Sequence, residues 1–146
     1  MVRRRTSRSA GSMSGRCTAV ALVAAAVLHI VWATGSTVPF RSREELNDHV
    51  IGRQVTPGPA ECLAVAGLLL AAAGVVTAAD RRRRPLPRVA SGGVAVVFAI
   101  RAAFGFAGRT SVLVPGSDSA RFKRMDRCVY APLCSLLAAG AVRAAR

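Results

Sequence analysis

Four apolar runs alternate with charged breaks along the chain, and that alternation predicts its elements. Residues 17–34 are apolar apart from Thr18 and His29, and residues 62–79 carry no charge at all. A third run, 89–108, is interrupted by Arg101, and a fourth, 128–142, stops at Arg143. A helix needs about 17 to 25 apolar residues to cross a hydrocarbon layer, so the first three runs are long enough and the fourth is short. The expected fold is therefore all-α, a four-helix transmembrane bundle with short loops. Residues 17–146 form its membrane domain, and residues 1–16, arginine-rich among Ser, Gly and Thr, form a disordered basic cytoplasmic tail. The charged start and apolar middle of the first run also fit a cleaved signal peptide, but the run is long for one and lacks a clean cleavage site.

The breaks carry their own local signals. In the first, from Gly35 to Ala60, Ser42 is followed three residues later by Glu45, a capping-box spacing that predicts a short interfacial helix near 43–51. Thr56-Pro57-Gly58-Pro59 then ends that helix and opens the second span, since proline is tolerated in a first helical turn. Arg81 to Arg88 reads as a tight basic turn at a membrane face, and residues 109–127 read as a polar loop. Gly67, Ala71 and Gly74 give the second span a stripe of small residues suited to close packing inside the bundle.

Composition strengthens the membrane reading. Of 146 residues, 52% are hydrophobic, and a mean hydropathy of +0.38 exceeds that of ordinary soluble domains. The net charge of +14, from 21 basic against 7 acidic residues, suggests nucleic acid at first sight. The charges, however, sit in blocks between apolar runs, and five Phe, one Trp and one Tyr are too few to form a base-stacking surface. The expected partners are membrane lipids instead, with Arg81 to Arg84 attractive to anionic headgroups. Twelve arginines lie on one side of the membrane: five in the tail, five at 81–88 and two at the C-terminus. Eight basic residues lie on the other: three in the first loop and five at 109–127. The bias predicts both termini in the cytoplasm.

Candidate chemistry is concentrated in a few polar residues within apolar surroundings. Arg101 is a permanent cation in a span, costing roughly 2.5–3.5 kcal/mol at a helix centre, so it calls for a partner or a function. His29 and Arg101 each stand thirteenth in their runs, at similar depth, and Trp32 shares a face with His29. Glu61 and Asp126 begin the second and fourth spans from the same side. These five residues, His29, Trp32, Glu61, Arg101 and Asp126, form a candidate pocket for an anionic lipid or small molecule, with Arg101 as anion anchor. The simpler alternative pairs Arg101 with Glu61 or Asp126 as a packing device. A membrane-embedded redox or quinone-linked enzyme is the competing class, but Cys128 and Cys134 are about 9 Å apart along a helix, too far to pair. No zinc spacing links Cys17, Cys62, Cys128, Cys134 and the histidines, so neither a metal nor a cofactor is expected.

A set of polar and proline features at matching places goes further. They are Leu28-His29-Ile-Val-Trp32-Ala-Thr-Gly35 with Pro39, Pro57-Gly58-Pro59, Arg101-Ala102, and Arg121-Phe122 through Asp126 to Tyr130-Ala-Pro132-Leu-Cys134. In these the chain resembles the bacterial DUF3995 family of small four-helix membrane proteins. The resemblance implies an integral protein of a bacterial inner membrane and carries no known activity. It also implies an aspartate soon after Arg101-Ala102, where this chain has Gly105.

Overall fold

The computed structural model describes residues 3–53, 56–81 and 84–146, with side chains from Ser14 onward. Helix α1 (Arg3–Ala33) is followed by a loop holding the short α2 (Arg43–Leu46) and a π-helical turn, Asn47–Ile51. Helices α3 (Pro59–Arg81) and α4 (Pro85–Phe106) come next, joined by the basic turn, of which Arg82 and Arg83 lie outside the described residues. A 3-10 turn at Thr110–Val112 leads to α5 (Ala120–Met125), a second π-helical turn at Asp126–Tyr130, and α6 (Ala131–Ala145). Met125, Asp126, Tyr130 and Ala131 all keep right-handed helical dihedrals, so α5, the π turn and α6 form one continuous rod. Four helices are long and apolar enough to cross a membrane: Ser14–Ala33, Pro59–Arg81, Pro85–Phe106 and Ala120–Ala145. The side chains of the basic tail before Ser14 lie outside the described residues.

The spans run up, down, up, down. Helix α1 packs chiefly on α3 and α4 chiefly on α6, while contacts of α1 with α6 and of α3 with α4 close the ring. Its core is built from small residues around Leu22 and Val76, including Ala73, Ala79, Ala95 and Ala141. Large aliphatics such as Val20, Leu68, Val97 and Leu136 point outward. Lipid solvates large aliphatics as well as a core does, so burial of small residues for close backbone approach is what packs spans together. Ser91, fully buried, adds a hydrogen bond from its hydroxyl to the Ala141 carbonyl at 2.9 Å, joining α4 to α6.

Two expectations are corrected. The fourth span is not the short run 128–142 but a helix of 26 residues beginning at Ala120. Ser119 caps it by accepting a hydrogen bond from the Phe122 amide at 3.1 Å, so the charged stretch expected to be loop is helix. At 1.5 Å per residue the rod is about 39 Å long, against a hydrocarbon layer of about 30 Å, leaving its charged first turns at headgroup level. The stripe of Gly67, Ala71 and Gly74 does not face the bundle. All three are exposed, and a Cβ at either glycine would meet nothing. The contact face of α3 is instead Cys62, Ala66, Ala73, Val76 and Ala79. Close approaches occur at other glycines: a Cβ on Gly140 would overlap the Thr18 side chain, and one on Gly105 would lie 2.8 Å from the Ala131 Cβ.

Candidate functional site

At the end of the bundle away from the termini, the loop between α1 and α3 folds back over the helix ends. Gly35, at φ 88°, ends α1, and the Trp32 indole nitrogen donates to the Val38 carbonyl at 2.7 Å. Ser42 caps α2 as expected, accepting from the Glu45 amide at 3.1 Å, while the Glu45 carboxylate accepts from the Arg41 amide at 2.9 Å. The π turn closes at Gly52, whose φ of 74° is open to glycine at little cost, and the Phe122 ring occupies the space a Cβ there would need.

Contacts from the last span brace this loop. The Ser119 amide donates to the Gly52 carbonyl at 3.2 Å, and the Tyr130 hydroxyl donates to the His49 carbonyl at 3.1 Å. His49 in turn stacks on Phe40 with ring centroids 5.3 Å apart. The two π turns are thus joined through Tyr130 and His49.

Beneath the braced loop lies a cavity of about 350 Å³ whose lining includes His29, Trp32, Glu61, Cys62, Arg43 and Arg53. The histidine and tryptophan meet edge to face at 5.0 Å, as their spacing on α1 predicts. His29 Nδ1 lies 2.8 Å from the Ala25 carbonyl. A carbonyl only accepts, so this nitrogen carries a proton and donates it to the carbonyl. Glu61 accepts from the Gly58 amide at 3.0 Å and so caps α3. Arg43 reaches only a long contact, 3.4 Å, to the Gly35 carbonyl. The Nε of Arg53 is buried and has no acceptor among the described residues.

Arg101 and Asp126 do not line this cavity; they pair between α4 and the last span. Arg101 Nη2 meets Asp126 Oδ1 at 2.7 Å, and the Thr110 hydroxyl donates to the other carboxylate oxygen. Asp126 is buried, whereas the Arg101 side chain keeps 27% of its surface accessible, and its Nη1 has no acceptor among the described residues. Gly105 makes the arrangement possible, since a Cβ there would come within 3.1 Å of Arg101 Nη1 and 3.2 Å of Asp126 Oδ1. The counter-charge that the resemblance implies near Arg101 on α4 is supplied here by Asp126, across the helix interface.

The five expected site residues therefore divide. His29, Trp32 and Glu61 share the cavity, and Arg101 with Asp126 forms a separate pair of which only the aspartate is buried. Sequence reasoning missed Arg43 and Arg53. Arg43 directly follows the helix-capping Ser42, a signal that a folded loop would hold it in place, whereas Arg53 carried no comparable mark. Among the described residues no three His, Cys, Asp or Glu side chains gather as metal ligands, and all four cysteines are free.

A ring of four apolar spans with small residues inside, large aliphatics outside and a polar cavity under one loop defines a small multi-pass membrane protein. Residues 22–141 match the family model described as a protein of unknown function, DUF3995, and the chain belongs to that family. Neither a curated protein nor a solved structure matches it closely enough to add to that assignment.

Proposed function

We propose that this protein binds an anionic amphiphile, a lipid or small molecule, in the cavity under its braced loop. Arg43 and Arg53 hold the anion, Glu61 and His29 set the polar floor, and Trp32 lies against the apolar part. The observation that carries the reading is that two arginines, Arg43 and Arg53, line the cavity and neither makes an ion pair among the described residues. An anionic ligand supplies the counter-charge that these guanidinium groups otherwise lack, by a charge-assisted hydrogen bond. Arg101, the anchor first expected, is already neutralised by Asp126. With both termini cytoplasmic in a bacterial inner membrane, as the arginine bias indicates, the cavity opens on the outer side.

Trp32 is the single tryptophan and lines the cavity, so its fluorescence reports occupancy directly. In dodecyl maltoside, decyl phosphate produces a saturable change and decanol does not. Arg53→Gln weakens the response on the order of 10-fold or more, the loss expected for a hydrogen bond to a charged group. An equal response from decanol, or an unchanged affinity in Arg53→Gln, rules the reading out.

A further inference from the structure

The first turns of the last span carry more positive charge than the protein itself neutralises. Arg121 pairs with Asp48 at 3.3 Å and Lys123 with Asp118 at 3.0 Å, both exposed. Asp126 is taken by Arg101. Arg124 and Arg127 are exposed and make no hydrogen bond or ion pair among the described residues. They stand at headgroup level, on the rod whose 26 residues exceed the hydrocarbon thickness. Below them the exposed surface of the same rod becomes aliphatic, through Val129, Leu133 and Leu136, the last 70% exposed.

These charges sit on the side that the arginine bias disfavours, so topology gives no reason for them. Exposed guanidinium groups on the same rod as an exposed aliphatic strip, with Arg127 lying beside Gly108, match one chemistry in both parts, an anionic phosphate carried on acyl chains. Guanidinium also suits phosphate better than an ammonium would, because its planar fork donates two hydrogen bonds at once.

We propose that Arg124 and Arg127 bind the phosphate of an anionic phospholipid in the leaflet at this end, with its acyl chains along Val129, Leu133 and Leu136. This site lies outside the cavity and does not depend on it. The test is native mass spectrometry of the full chain, released from micelles loaded with equal amounts of phosphatidylglycerol and phosphatidylcholine. The wild type retains phosphatidylglycerol selectively. Arg124→Gln with Arg127→Gln weakens that retention on the order of 30-fold, while Arg16→Gln with Arg143→Gln, both exposed at the opposite end, leaves it unchanged.

Equal retention of phosphatidylglycerol by the Arg124/Arg127 variant, or loss only in the Arg16/Arg143 variant, overturns the proposal. Both substituted side chains are exposed and make no hydrogen bond or ion pair among the described residues, so the unfolding midpoint stays at the wild-type value; if the double variant does unfold, each single substitution is scored by the same retention. Arg53→Gln keeps this lipid, which separates failure here from failure of the cavity reading.

Discussion

Replacing Asp126 by asparagine keeps the shape of the side chain and removes its charge, leaving Arg101 as an unneutralised cation between two spans. Two magnitudes compete. Interhelical polar contacts in membranes average only about 0.6 kcal/mol, so loss of a hydrogen bond alone would scarcely register. Removing one partner of a buried ion pair costs about 3–5 kcal/mol, because the remaining charge is stranded. The second effect governs here, since Asp126 has 2% of its side chain accessible and Arg101 Nη1 already lacks an acceptor. It is reduced because Arg101 is 27% accessible and stands five residues from the end of α4, about 8 Å, within reach of the headgroups. The expectation is a loss of about 2 kcal/mol for Asp126→Asn, read as an earlier midpoint when the detergent-solubilised protein is titrated with SDS. Arg101→Met combined with Asp126→Asn recovers most of it, because neutralising both partners leaves no stranded charge. A wild-type midpoint for Asp126→Asn, or a double variant no better than the sum of its singles, would show that the pair is not what joins α4 to the last span.

Two further substitutions probe the packing on either side of that pair. Gly105→Ala places a Cβ 2.8 Å from the Ala131 Cβ, so α4 and α6 must separate; a loss of about 1–3 kcal/mol is expected in the same SDS titration. Gly52→Ala is strained by its φ of 74° and drives a methyl into the Phe122 ring; it lifts the loop and weakens the Trp32 response to decyl phosphate, while the SDS midpoint of the spans moves by less than in Gly105→Ala.

The spans were legible because hydrophobic runs of membrane length have few other uses, and the Ser42 cap was legible because two residues, Ser42 and Glu45, specify it. The fourth span was misjudged because charge was taken to end a helix, whereas a rod emerging into headgroups keeps its hydrogen bonds and simply exposes its arginines. Spacing along a single helix was readable from residue counts, and His29 and Trp32, three residues apart on α1, do meet edge to face. Rotation about each helix axis was not, and it decided the rest. The stripe of Gly67 and Gly74 turned outward, and Arg101 turned toward Asp126 instead of toward His29. The π turn at Asp126–Tyr130 adds to the difficulty, since its wider winding shifts the angular register of every residue after it.

The Tyr130–His49 and Ser119–Gly52 contacts have a consequence for the order in which the protein matures. The cavity is walled mainly by the end of α1, the first loop and the start of α3, all made early in synthesis, with Val114 added from the loop after α4. Its loop is held down by residues of the last span, made at the end. A nascent chain that has inserted its first three helices therefore carries the walls of the cavity without its clasp, and competence to hold a ligand arrives only when the final helix has threaded into place.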